Sequence, residues 1–392
     1  MMNSSLRIPV TPEVLRWARE EMEVKEEDAA REAGIELDEL RAWERDGASI
    51  PLSTLQVLRK LYKKPLAVFL LSTPPKRVKQ PTDHRTFRNG TATKTKNLLL
   101  AIRRAQRMQE VFRDTLNENG ETAVAHLPRF PRPLTPRKLA ALARQDFQLS
   151  LETQIKWKDE REGLTALMRL VEAKGVLVFQ MTFDPKDARG FILPNKHPPV
   201  IVMSSSDAVR ARIFTLLHEY CHLLLGQEGI SDWNDRNPTE RYCNQFASAF
   251  LMPLNALRAH LALAKYRSGV ETNISVVVHM LVKDFKVSAE AVLTALVSLD
   301  VISQDFYDEE RRRIAAEVEE YKKRKKKGGP SPAVKCVAQR GVPYVSAVIS
   351  ANKEGKIGLS DVSDYLDIRQ KHLPKIESLV RQKNYEYAGE TV

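Results

Sequence analysis

The chain has 392 residues, 43% of them hydrophobic, and a net charge of +12. This composition excludes a disordered tail protein, and the length allows two or three domains with buried cores. No apolar run approaches the roughly eighteen residues that a membrane-spanning helix needs, and the N-terminus has no signal-peptide pattern. We therefore expect a cytoplasmic protein that has no membrane partner.

The basic charge is unevenly distributed along the chain. Residues 12–48 contain thirteen acidic and six basic residues, a local net of −7, which leaves +19 on the remainder. A basic surplus of this size favours contact with nucleic acid or with an acidic partner, and an ordinary solvated surface accounts for it equally well. The cysteines Cys221, Cys243 and Cys336 form no C-x-x-C pair, so we predict buried thiols rather than disulfides.

Residues 1–75 predict a bundle of short helices. Helices are expected over residues 12–23, 25–32 and 37–45, with Thr11 as N-cap of the first and a turn at Gly34 before the third. Two more helices are expected after residues 49–51 and after Pro65. Apolar contacts inside the helix-turn-helix would come from Ala29, Ala30, Ile35, Leu40 and Trp43.

This arrangement resembles the Xre/Cro-type helix-turn-helix, which implies sequence-specific DNA binding. Arg41 and Arg45 are the basic residues that its third helix would offer to phosphates. The same helix opens with Glu36, Asp38 and Glu39, which repel a phosphate backbone. A helix-turn-helix that serves as a protein-contact module is therefore an equal alternative.

Residues 76–145 predict a basic, helical connector that ends in a proline-rich loop. A helix closed by Gly175 follows, and then three short apolar runs predict a small sheet. Two more helices carry the chemistry. The first has Ser205, Ser206 or Asp207 as its cap and stops at Gly226, and the second spans residues 238–253.

The segment "HEYCH" suggests a zinc site. His218 and His222 are four residues apart, so on a helix both imidazoles lie on one face and can hold one metal ion. Glu219 lies beside them as the general base that takes a proton from water. The third ligand is expected to be Glu240, because its helix presents an apolar face to the first, although Asp232 and Asp235 are nearer rivals in a loop.

"RIFTLLHEYCHLLLG", followed by "ERYCNQFASAFLMP", resembles the ImmA/IrrE family of bacterial metallopeptidases. The resemblance covers about residues 176–302 and implies a gluzincin-like domain in which His218, His222 and Glu240 bind zinc and Glu219 is the base. It further implies that the substrate is a helix-turn-helix repressor, cleaved to derepress stress or mobile-element genes. Cys243 stands where the family usually has alanine.

The sequence thus predicts a mainly α (α+β) chain that works as a zinc endopeptidase, with manganese as the other metal that two imidazoles and a carboxylate accept. The alternative is a DNA-binding regulator or antitoxin whose metal site is structural or sensory. In a third hypothesis, the acidic N-terminal unit restrains the protease. The predicted segments are a helix-turn-helix domain (1–75), a connector (76–145), a metallopeptidase core (146–265), a helix-turn-helix-like extension (266–320), a charged linker (321–332) and a small helical domain (333–392).

Overall fold

A computed structural model of the chain describes most of its residues. The described residues are 6–22, 24–62, 66–74, 95–117, 125–128, 130, 134–194, 198–226, 230–231, 237–268, 274–324 and 329–389. Contacts divide the chain into two compact units. The first comprises Met1–Gln80 and Thr91–Leu100, and the second comprises Pro81–Gly90 and Ala101–Val392.

The first unit combines short helices with a two-stranded antiparallel sheet. Its elements are β1 (Arg7–Val10), α1 (Pro12–Glu20), α2 (Glu26–Ala33), α3 (Leu37–Asp46), β2 (Ala48–Pro51), α4 (Leu52–Leu61) and a 3₁₀ helix (Leu66–Leu70). The β1–β2 pair was not predicted, and the fifth predicted helix is a 3₁₀ turn. The first helix ends three residues earlier than predicted. Thr11 is its N-cap, as predicted, although its hydroxyl donates to the Leu71 carbonyl and not to the first turn of the helix.

The predicted helix, glycine turn and helix are present in this unit. Gly34 ends α2 in the left-handed region, at φ 66°, where a residue without Cβ is unstrained. Four of the five predicted apolar residues are buried in the core, and Ile35 is partly buried against it. A bidentate ion pair also fixes α1 to α3, since Arg19 donates from Nε and Nη2 to the buried Glu44 carboxylate at 2.7 Å each.

The second unit is mainly helical around one small sheet. Its strands are β3 (Leu177–Met181), β4 (Gly190–Leu193), β5 (Val200–Ser204) and β6 (Ile230–Ser231). Its first helices are α5 (Lys96–Asn117, in this unit from Ala101), α6 (Pro136–Asp146), α7 (Leu151–Lys156), α8 (Glu160–Glu172), α9 (Val209–Leu225), α10 (Pro238–Leu251) and α11 (Leu254–Ser268). The later helices are α12 (Ile274–Phe285), α13 (Ala289–Val297), α14 (Gln304–Arg324), α15 (Pro332–Arg340), α16 (Val342–Lys353), α17 (Leu359–Leu366) and α18 (Leu373–Gly389), with a 3₁₀ turn at Gln370–His372.

The predicted small sheet is confirmed, with strand order β3-β5-β4-β6. The central strand β5 runs parallel to β3 and antiparallel to β4, and β4 pairs with β6 through Gly190 and Phe191. Every residue of β3, β4 and β5 is buried, because α9 packs against β4 and β5 while α8 and α15 pack against β3. Burial on both faces explains why these strands read as continuous apolar runs.

A buried polar cluster joins the helices on which the sequence placed the chemistry. The Arg144 guanidinium of α6 donates to the Phe250 carbonyl at 2.8 Å, near the end of α10, and to Gln154 Oε1 at 2.6 Å. Gln154 in turn donates to the Leu251 and Phe285 carbonyls at 2.9 and 3.1 Å. The last carbonyls of α10, which lack partners within the helix, are therefore bound by side chains.

The C-terminal helices pack onto the same unit. Tyr344 of α16 meets Phe179 of β3 edge-on, with ring centroids 5.6 Å apart, and Gln180 donates to the Ala338 carbonyl at 2.7 Å. Arg104 of α5 pairs with Asp367 at 2.8 Å. These contacts fix the helices from α15 onward against the sheet and α5.

The mainly helical α+β fold class is therefore confirmed. The six predicted segment boundaries stay predictions, although α14 continues to Arg324 and thus enters the predicted linker. Within the described ranges, every helix is too short or too polar to cross a membrane.

Candidate metal centre

Helix α9 carries three of the predicted site residues in a fully enclosed setting. His218 and Glu219 are inaccessible to solvent, and His222 retains 5% of its exposure. The helix ends at Gly226, as predicted, with a left-handed glycine cap. Its N-cap is Ala208 rather than Ser205, Ser206 or Asp207, so the predicted side-chain cap is wrong. In the loop before the helix, the Asp207 carboxylate accepts a hydrogen bond from the Ala208 N–H.

Helix α10 brings Glu240 onto the two histidines. Asn237 caps this helix by accepting from the Thr239 N–H, which places Glu240 in the first turn. Glu240 Oε2 lies 3.0 Å from His218 Nε2, and Glu240 Oε1 lies 3.3 Å from His222 Nε2. The two Nε2 atoms are 3.1 Å apart. Asp232 and Asp235, the rival ligands, lie outside the described residues.

The donor set fits a zinc ion. One ligand atom from each of His218, His222 and Glu240 lies within 4.8 Å of the other two, and all three residues are buried. Ligand atoms that each lie about 2.0–2.1 Å from a tetrahedral zinc are about 3.3 Å from one another, close to the spacings found here. Two imidazoles and a carboxylate also form the ligand set of several catalytic zinc sites.

Asn244 fixes the orientation of the first imidazole. Its Oδ1 lies 2.9 Å from His218 Nδ1 and accepts the proton of that nitrogen. The Nε2 atom of the same ring then carries a lone pair, and that lone pair points toward Glu240 and His222. A ring held in this tautomer is ready to bind a cation.

The pKa values of the cluster describe its charges in the absence of metal. Burial lowers the pKa of His218. Burial would also lower the pKa of His222, but hydrogen bonds with Cys243 and Glu240 outweigh it and raise that pKa to about 11. Burial would raise the pKa of Glu240, yet hydrogen bonds with the two histidines hold it at about 2. In the metal-free cluster, a protonated His222 therefore balances the buried Glu240 carboxylate, and a divalent cation would take over that role on displacing the proton.

The Glu219 side chain reaches the sheet. It follows His218 on α9, and its carboxylate lies against Gly190, the first residue of β4. The structure therefore places the predicted base next to the metal-binding cluster and under a strand.

Tyr220 and two further histidines make other contacts. The Tyr220 ring packs on Phe147, with ring centroids 5.1 Å apart. His260 and His279 each bond through Nδ1 to a carbonyl one turn earlier in their own helices, at 2.9 Å. His197 lies outside the described residues. All three cysteines are free and buried, which confirms the prediction for them.

Two residues that contact the histidines were not identified from the sequence. Asn244 binds His218, and the Cys243 thiol lies within hydrogen-bonding reach of the His222 ring. Helical spacing could have indicated both, since they are three and four residues after Glu240 and share its face. Second contacts of this kind orient metal ligands and tune their basicity.

The predicted DNA-contacting residues belong to the first unit and are engaged in ion pairs. Arg41 Nε lies 2.8 Å from Glu26 Oε2, and its guanidinium is 3.6 Å from Asp38. Arg45 pairs with Asp46 at 2.8 Å. Contact with phosphate would have to compete with these carboxylates, and DNA binding stays a prediction.

Comparison with known families adds one finding. Residues 171–297, about a third of the chain, match the model of the Peptidase_M78 family, described as the IrrE N-terminal-like domain. The matched region includes β3 to β6 and the helices that carry the histidine and glutamate cluster. It supports a metallopeptidase of the ImmA/IrrE type. No curated protein matches the chain.

Proposed function

We propose that the chain is a zinc-dependent endopeptidase that cleaves a partner protein. The observation that carries this proposal is the convergence of His218, His222 and Glu240 inside a region that matches a peptidase family. A buried cluster of two imidazoles and a carboxylate is costly to maintain unless a cation compensates it. Zinc is the metal proposed, and manganese is the second candidate.

Each site residue has a distinct role in this proposal. His218, His222 and Glu240 hold the metal, which when bound supplies the Lewis acidity that polarises a peptide carbonyl and water. Glu219 takes a proton from the attacking water and passes it to the nitrogen of the departing amine. Cys243 and Asn244 keep the two imidazoles in orientation.

We further propose that the substrate is a helix-turn-helix transcriptional repressor and that cleavage regulates stress or mobile-element genes. The support is the resemblance to the ImmA/IrrE family together with the family match over residues 171–297. The N-terminal unit would then serve to contact protein. This assignment agrees with the ion pairs that occupy Arg41 and Arg45.

The proposal is tested by metal content and by one isosteric substitution. Elemental analysis of the purified wild type is expected to give about one zinc per chain, lost in His218→Ala and in Glu240→Ala. Glu219→Gln is expected to keep the metal and to lose cleavage of a co-expressed repressor, because the amide cannot accept the proton of water. A wild type without metal, or a Glu219→Gln variant that still cleaves, would contradict these assignments.

The alternative, a DNA-binding regulator, makes a different prediction. Binding to a short operator duplex would weaken steeply with salt and with Arg41→Glu or Arg45→Glu. Under the peptidase proposal, we expect charge reversal at either position to leave the affinity for the duplex unchanged, because both guanidiniums are already paired with carboxylates. A loss of binding in these variants would favour the regulator.

A further inference from the structure

Helix α9 approaches the sheet closely at Gly190. This residue opens β4, pairs with Met203 of β5 on one side and with Ser231 of β6 on the other, and is fully covered. A glycine inside a strand often marks such an approach, because any side chain would hold the neighbouring element away. Gly190 is not among the residues with positive φ, so its backbone conformation does not require glycine.

The space beside Gly190 is filled by the proposed base. A Cβ built on Gly190 would lie 2.7 Å from Glu219 Oε1, 2.7 Å from Thr215 Cγ2 and 3.0 Å from the Val202 carbonyl oxygen. Val202 lies in the central strand, and Thr215 is buried in α9. These two neighbours are held by the sheet and by the helix. The carboxylate of Glu219, at the end of a rotatable side chain, is the neighbour that can move.

We infer that Gly190 is a positioning residue for Glu219: its missing side chain forms the seat in which the carboxylate of the base lies. The inference rests on the proposed function and adds the element that sets where the base sits. Without this seat, the carboxylate would have to rotate away from β4 and leave the place from which it acts. None of the three heavy atoms nearest to the built Cβ belongs to a metal ligand, so we expect zinc binding to be retained when the seat is filled.

The experiment compares the zinc-loaded full chain with three variants, Gly190→Ala, Glu219→Gln and the double variant. Acetohydroxamate is the probe, because its affinity for such sites depends both on the metal and on a nearby carboxylate that accepts its proton. Glu219→Gln is expected to weaken its binding by about tenfold or more, which is the usual effect of losing a charge-assisted hydrogen bond. Gly190→Ala is expected to approach the same loss while keeping one zinc per chain.

The double variant distinguishes positioning from general damage. If Gly190 acts through Glu219, the two effects are not additive, and the double variant binds acetohydroxamate as weakly as Glu219→Gln alone. Gly163→Ala is the matched control. Its methyl would meet the Trp157 ring at 2.9 Å, so it crowds the same unit without contacting Glu219, and its acetohydroxamate affinity should stay at the wild-type level.

A second variant keeps the inference testable if Gly190→Ala does not fold. Thr215→Ser removes the methyl that meets the added Cβ and leaves the Glu219 contact in place. In Gly190→Ala/Thr215→Ser we therefore expect recovered stability and a persistent loss of acetohydroxamate affinity. Recovery of both would mean that crowding against Thr215 caused the loss and would overturn the inference.

The remaining outcomes are separable from the proposed function. Wild-type acetohydroxamate affinity in Gly190→Ala, or fully additive losses in the double variant, would overturn the positioning role and leave the peptidase proposal standing. A wild type that binds neither zinc nor acetohydroxamate would overturn the proposed function and the inference with it.

Discussion

Asn244 offers the sharpest test of how the metal centre is built. Its Oδ1 accepts the Nδ1–H of a fully buried imidazole at 2.9 Å. Asn244→Ala removes that acceptor and leaves a buried N–H without it. A lost hydrogen bond combined with an orphaned buried donor costs about 1.5–3 kcal/mol. Because His218 must hold this tautomer to bind metal, we expect zinc affinity to fall about 10- to 100-fold.

A substitution that strengthens the acceptor should not lower zinc affinity. Asn244→Asp puts an anionic acceptor at the same place, which makes the imidazole more basic, so zinc affinity should equal or exceed that of the wild type. Competition with a fluorescent zinc chelator at fixed pH measures both variants. Gln245→Ala, at the exposed neighbouring position on α10, is the control. If Asn244→Ala binds zinc within twofold of Gln245→Ala, the imidazole is not oriented in the way described.

Three further predictions concern stability. Arg144→Met should lower the free energy of unfolding by about 2–4 kcal/mol in urea titrations, because three charge-assisted hydrogen bonds are lost. Removing the cost of burying a guanidinium offsets only part of this loss of stability. Arg137→Met, at an exposed position, should leave the free energy of unfolding unchanged. Glu44→Ala should destabilise the first unit by about 3–5 kcal/mol, since it leaves the mostly buried Arg19 without its bidentate partner. A decrease in the free energy of unfolding below about 1 kcal/mol would show that this pair contributes little. Zinc at 100 times its Kd should add about 2.7 kcal/mol to the stability of the wild type and nothing to His218→Ala, with EDTA reversing the gain in thermal melts.

The convergence of the two histidines and Glu240 was predictable from the sequence because its signals are local and periodic. Two histidines at helical spacing inside an apolar helix required a partner, and the apolar face of the next helix indicated Glu240. The structure places all three residues together. Asn244 follows from the same periodicity once Glu240 is accepted.

Other features depend on contacts between distant parts of the chain and could not be predicted. The β1–β2 pair consists of two four-residue strands, each containing a proline, and it exists because residues 7–10 and 48–51 are brought together by the intervening helices. The seat at Gly190 depends on where α9 crosses β4. Ala208 is the N-cap of α9 and has no side chain that could cap it, so capping preferences in the sequence did not locate the start of that helix.

Helix α10 connects the histidine and glutamate cluster at one end to a buried polar cluster at the other. It carries Glu240 in its first turn and the groups that orient both histidines in its second, and its far end is held by Arg144 and Gln154. A small rigid-body slide of this helix would therefore alter every one of these contacts at once. If the cluster holds the proposed zinc, we expect its affinity to change with substitutions at the opposite end of α10, two to three helical turns away, even though the ligands themselves are untouched.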